Sequence, residues 1–167
     1  SGGESIAEGI AVKTPGEITK AIVSEYVDDI LLVDEFAIES AVQTMVETGK
    51  LIVEGAGAAP LAAVIQQSER FAGRKTGLVA CGATIDSRLL SSILLRDMVQ
   101  HGKVVRLRIA ISDQPGVLAQ VAQQIGEVGG NIVEIYHQRM FYDVPAKRTE
   151  VDIVVETRDS AHVEEII

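Results

Sequence analysis

The sequence predicts an α/β protein in two parts: helix-covered parallel sheet over residues 1–101, then a ferredoxin-like β-α-β-β-α unit over residues 102–167 that lacks its last strand. Three observations carry this reading. Apolar runs alternate with helical periodicity as far as Gln100. A strict period of two begins at Val105, and two further strand-like runs flank a loop containing Pro145. With 167 residues, 47% of them hydrophobic, the chain can build one ordinary core or two small ones.

In chain order, the apolar stretch Ile30 to Val33 reads as a strand. Asp34 or Glu35 then opens a helix carrying Ile38, Ala41, Val42, Met45 and Val46 at helical spacing, with Gly49 as its stop. Leu51 to Val53 is too short to classify. Gly55 and Gly57 form a turn, and Pro60 with Leu61, Ala62, Val64 and Ile65 suits the first turns of a second helix. Gly77 to Ala80 reads as a buried strand ending in the Cys81-Gly82 turn, and Leu89, Leu90, Ile93, Leu94 and Met98 mark a helix up to Gln100.

At His101-Gly102-Lys103 the pattern changes. Val105, Leu107, Ile109 and Ile111 alternate with Arg106, Arg108 and Ala110, as in a half-solvated strand. Asp113-Gln114-Pro115-Gly116 forms a turn, and Leu118, Val121, Ala122, Ile125 and Val128 make a helix stopped by Gly129-Gly130. Asn131 to Phe141 and Arg148 to Glu156 read as a hairpin across the loop 142–147, and Ser160 caps a last helix with Val163, Ile166 and Ile167. The few strands of the first part and the missing last strand of the second predict that the chain is a portion of a longer protein.

The net charge of −9, with 24 acidic against 15 basic residues and no Lys/Arg run, sets aside nucleic acid and anionic membranes as partners. One cysteine makes no internal disulfide, and His101, His137 and His162 lack metal-ligand spacing, so the expected compartment is the cytoplasm. No apolar run approaches the ~20 residues of a membrane span.

Several positions could carry chemistry. Cys81 is either a small buried residue at a strand end or a polar atom facing a ligand, since ligands collect at the carboxyl ends of strands in open α/β sheets. Glu54 precedes Gly55-Ala56-Gly57-Ala58, where its carboxylate either caps the next helix, the commoner role, or approaches a ligand. Glu4 and Glu8 offer oxygen ligands to a monovalent or divalent cation, and Glu8 is the candidate carried forward. In Asp113-Gln114-Pro115-Gly116-Val117-Leu118, free amides at a helix start favour a carboxylate, which makes an amino-acid pocket or an ordinary helix capped by Asp113. Tyr136, His137 and Phe141 have no acid or nucleophile at catalytic spacing and read as packing residues.

Taken in order, Ile6-Ala7-Glu8-Gly9-Ile10-Ala11-Val12-Lys13, Leu51-Ile52-Val53-Glu54-Gly55-Ala56-Gly57-Ala58 and Cys81-Gly82-Ala83-Thr84-Ile85-Asp86 closely resemble the C-terminal part of pyridoxal-phosphate threonine dehydratases (threonine ammonia-lyases), which are also similar to serine racemases. From Lys103 onward, Asp113 to Leu118 and Gly130-Asn131-Ile132 resemble an ACT domain, a regulatory amino-acid-binding module. The resemblance implies the end of a three-layer catalytic domain, like the tryptophan synthase β-subunit, followed by the ACT unit. It implies elimination of water from L-threonine, and from L-serine, to give 2-oxobutanoate or pyruvate and ammonia; the uncovered edges of the half-exposed sheet from Val105 to Ile111 and Val151 to Val155 predict a homo-oligomer, dimer or tetramer. Cys81 and Gly82 would then lie beside the cofactor's pyridine nitrogen and Glu54 close to its ring, while Asp113, Gly116, Val117, Leu118 and Asn131 would hold isoleucine or valine as effector.

Ala83 and Thr84 depart from the family's Gly-Asn at that turn. The family's cofactor-anchoring lysine and glycine-rich phosphate loop belong to an upstream half, and the six lysines here (Lys13, Lys20, Lys50, Lys75, Lys103, Lys147) lie outside any such setting. The expectation is an inactive chain derived from an active parent. The alternatives are a non-catalytic amino-acid-sensing module on a degenerate enzyme remnant, or a serine dehydratase or racemase.

Overall fold

The computed structural model describes residues 5–137 and 148–167. Glu4, the strand residues expected at 138–141 with Phe141, and the loop 142–147 with Pro145 lie outside them. The chain forms two compact units, Ser1–Leu94 and Leu95–Ile167.

The first unit is helical among the described residues. A 3-10 turn, Glu8–Ile10, precedes α1 (Glu17–Tyr26), α2 (Glu35–Thr44), α3 (Gly55–Gln66), α4 (Ser68–Phe71) and α5 (Ser87–Gln100), whose last residues pass into the second unit. α2 starts where Asp34 accepts the Ala37 backbone N–H at 2.8 Å, an N-cap. It ends in a π-helical turn, Met45–Gly49. Ile38, Ala41, Val42 and Met45 of this segment pack with Ala58 and Ala62 of α3 and with Ala7, Val53 and Ile93. The three alanines Ala41, Ala58 and Ala62 are fully buried; so small a side chain at a helix contact lets the two backbones draw close.

The parallel sheet expected here is absent among the described residues. Segments 30–33 and 77–80, read above as strands, are irregular, and Leu32 and Val79 are 84% and 75% exposed. A strand exists through its neighbour, which takes its N–H and C=O groups, and among the described residues no neighbouring strand stands beside these runs. α3 also begins five residues ahead of Pro60, so Gly55-Ala56-Gly57 is a first helical turn rather than a connecting loop. α1 and α4 went unanticipated: Gly16 gives α1 no side-chain cap and none of its residues is buried, leaving Ile18, Ile22 and Tyr26 exposed.

The second unit follows its sequence pattern closely. β1 (Val104–Ser112), α6 (Val117–Glu127), β2 (Asn131–His137), β3 (Arg148–Glu156) and α7 (Ser160–Ile166) build an antiparallel sheet in the order β1-β3-β2. Leu107 pairs with Ile153, Ile109 with Val151 and Val105 with Val155. These side chains pack with Ile125, Val117, Leu118 and Val121 of α6 and Ile166 of α7. Period two sends Arg106, Arg108 and Asp152 to the opposite face.

Two helix starts differ from expectation. Asp159, not Ser160, caps α7 by accepting the His162 N–H at 2.9 Å. Gly116 opens α6 with φ +89° and no side-chain cap, so Asp113 is not its N-cap and Pro115 lies before its first turn. His162 is buried: Nδ1 accepts the Arg158 N–H at 3.1 Å, so Nε2 carries the proton and donates to the Val128 carbonyl at 2.8 Å.

Candidate functional site

Residues near 6, 54 and 81 meet at the start of α3. The Glu54 backbone N–H donates to the Gly82 carbonyl at 3.0 Å, tying the 81–82 segment to the helix. A Cβ on Gly57 would stand 1.7 Å from the Cys81 carbonyl oxygen and one on Gly82 2.5 Å from Glu54 Oε1, so only glycine allows this approach. Glu54 occupies the N-cap position without capping through its side chain. Its carboxylate instead lies against Gly82 and Gly9.

A cavity of about 400 Å³ opens here, lined by Glu8, Gly9, Glu54, Thr84, Asp86 and Leu89 among others. Asp86 was not singled out from the sequence, although an acid just ahead of an apolar helical repeat is a cap signal; it accepts the Leu89 N–H at 2.9 Å. Cys81 is exposed and does not line this cavity, so the buried-strand-end reading of it fails. Glu8 sits on the 3-10 turn, and no group of three or more His, Cys, Asp or Glu suited to a metal ion occurs among the described residues.

The effector candidates separate. Asp113, Gly116, Val117 and Leu118 follow the Ser112 end of β1, whereas Asn131 pairs with Glu156, which pairs with Val104 at the other end. The eight rises of ~3.3 Å between the nine residues of β1 place these ends about 26 Å apart. Val117 and Leu118 pack against the core, and Asn131 Nδ2 donates to Glu156 Oε2 at 3.0 Å.

The sheet's outer face carries a charge cluster. Asp152 is 1% exposed. Arg108 donates to it at 2.9 and 3.2 Å and Arg106 also binds it, with Glu150 3.9 Å from Arg108. Hydrogen bonds from Arg108 and Arg106 hold its carboxyl well below the usual carboxylate range. Tyr136, opposite Asp152, donates to Glu134 at 2.6 Å, and this bond to an anion raises the phenol above its ordinary value.

Residues 1–82 match the model of a family described as pyridoxal-phosphate dependent enzyme. The match takes in the first 82 of the 167 residues. The L-threonine ammonia-lyase of Geobacter sulfurreducens is 40% identical to the chain over 163 residues, which are 98% of this chain and 40% of that protein. That of Thermotoga maritima is 34% identical over 165 residues, 99% of this chain and 41% of that protein. The crystal structure of a threonine deaminase from T.th. is 34% identical, with a TM-score of 0.47 over 52% of this chain and 31% of that one. The chain thus spans about two fifths of the length of the curated relatives it matches. No helix among the described residues is long and apolar enough to cross a membrane.

Pyridoxal phosphate is the cofactor that names the family. The residues here suit one side of it. Glu54 brings a carboxylate to the Gly82 backbone at a glycine-only approach, whereas the cavity is lined by Glu8, Glu54 and Asp86 and by no lysine or arginine. The phosphate and the aldehyde therefore have no anchor among these lining residues.

Proposed function

We propose that this chain is part of a threonine dehydratase, a lyase that converts L-threonine, and L-serine, to 2-oxobutanoate or pyruvate and ammonia. One observation carries the reading: both L-threonine ammonia-lyases match through almost the whole chain, across both units and not only over the family segment. Bound pyridoxal phosphate would supply the electron sink for breaking bonds at the amino acid's α-carbon. Within this chain, Cys81 would face the ring nitrogen, and Glu54, beside Gly9 and Gly82, would set the position of the ring's edge. No residue of the cavity can anchor the cofactor covalently, so the chain alone is expected to be inactive.

The test is a chimera that joins this chain to the part of the Geobacter relative it does not match. It should form 2-oxobutanoate from threonine while the separate chain forms none. A chimera that folds and takes up the cofactor by its absorbance, yet acts on neither threonine nor serine, overturns the reading; serine turnover alone moves it to a serine dehydratase.

The second unit is proposed as an ACT-like regulatory module for isoleucine or valine. Asn131 and the Asp113–Leu118 turn are too far apart to hold one amino acid within a single copy. A site using both would draw Asn131 from one copy and the turn from another, which is the basis for proposing a homo-oligomer. Titration calorimetry with isoleucine, valine, threonine and serine should give heat with isoleucine or valine. No heat and no thermal stabilisation with all four removes the effector proposal.

A further inference from the structure

Ile6, Glu8 and Gly9 form one wall of the cavity in the first unit, on a segment whose only regular structure is a 3-10 turn. Such a segment is fixed from outside itself. On one side, the Ile6 carbonyl stands on the start of α3, where a Cβ at Gly55 would collide with it. On the other, the Ile6 N–H donates to Glu35 Oε2 at 3.1 Å. Glu35 opens α2 and does not line the cavity. Helical side chains lean toward the N-terminus, so its carboxylate projects past the start of α2, where the helix dipole favours an anion. This end of α2 is itself held. Asp34, its cap, donates its N–H to Gln66 Oε1 at 3.2 Å and accepts Gln66 Nε2 at 2.9 Å. Gln66 is the last residue of α3 and Gly55 the first. The contacts therefore close a ring: start of α3 to Ile6, Ile6 to Glu35, and Asp34 to the end of α3.

We infer that Glu35 is a positioning residue for the cofactor cavity, acting through the Ile6 backbone to hold the wall of residues 6–9 against the start of α3. A hydrogen bond from a backbone N–H to a carboxylate is charge-assisted and about twice as strong as a neutral one. What it holds in place matters for the chemistry. A Cβ on Gly9 would stand 3.2 Å from Ala56 Cβ and 3.4 Å from Glu54 Oε1, so the seating of this wall sets the space left to the Glu54 carboxylate. Glu54 is the group proposed to place the edge of the cofactor ring. Without Glu35 the Ile6 peptide keeps its contact with Gly55 and loses the bond on its other side. This role rests on the reading of the chain as part of a threonine dehydratase.

Two measurements test it. In the intact 167-residue chain, amide hydrogen exchange by residue should be about tenfold faster at Ile6 in Glu35→Ala, which loses a hydrogen bond to a charged group. Glu35→Gln keeps an acceptor oxygen and should stay close to the wild type. In the chimera with the Geobacter segment, titration with pyridoxal phosphate followed by absorbance should show about tenfold weaker binding for Glu35→Ala and restored binding for Glu35→Gln. Unchanged exchange over residues 6–9 in Glu35→Ala overturns the inference. Faster exchange with unchanged cofactor affinity also overturns it, because the bond would then serve the fold alone. Equal weakening in Glu35→Gln overturns it as well, since an acceptor in place would not have restored the wall. An unaltered chimera that takes up the cofactor and turns over neither threonine nor serine fails the dehydratase reading instead, and the exchange and affinity of the variants still decide the role of Glu35.

Discussion

Val79 and Ile153 sit in apolar runs that look alike in sequence, yet Val79 lies open to water and Ile153 is fully buried. The difference is company. Ile153 stands on the middle strand, between Leu107 and Ile135, and beneath α6 and α7. Val79 belongs to a run with no strand beside it among the described residues. Hydrophobic pattern therefore states a preference, and pairing with burial turns the preference into a strand.

The comparison is sharpest in stability. Ile153→Ala should destabilise the second unit by about 2–5 kcal/mol, because the cavity it leaves lies under both helices. Val79→Ala should change stability by less than about 0.5 kcal/mol. Chemical denaturation of both variants checks the pair, and a large effect of Val79→Ala would place that run in a core.

Gly57→Ala asks whether the first unit has a rigid point of its own. The new Cβ would collide with the Cys81 carbonyl, and overpacking of this kind costs about 1–3 kcal/mol. The variant should free the 81–82 segment and raise the reactivity of Cys81 toward a thiol reagent, while the thermal transition of the second unit stays where it was.

Asp152→Asn probes the second unit's charged face. Folding holds the Asp152 carboxyl below its unfolded value, so its contribution to stability is present above about pH 4 and is lost as pH falls below that. The stability gap between the wild type and Asp152→Asn should be widest near neutral pH and narrow below about pH 4, as urea midpoints would show. A gap constant with pH would mean that shape, and not charge, is what Asp152 supplies.

These contrasts also explain what could be read from residues alone. The alternation from Val105 to Ile111, the helical repeat from Leu118 to Ile125 and the Asp34 cap were legible because each is local and its partners lie within the chain. Segments 30–33 and 77–80 misled because a strand's other half is not written in the strand. The start of α3 was placed late because Pro60 drew attention from Gly55 and Gly57, whose reason for being glycine is contact with residues 6 and 81, distant in sequence. Glu54 and Gly82 meet through a backbone hydrogen bond, whereas Asn131 and Asp113 stand at opposite ends of the sheet.

Residue-resolved amide hydrogen exchange on the purified chain tests the central contrast most directly. Residues 151–155 should be protected to near the global stability of their unit, while 30–33 and 77–80 exchange at close to the rate of an unstructured peptide. Protection of 77–80 equal to that of 151–155 would show a sheet in the first unit and contradict the account.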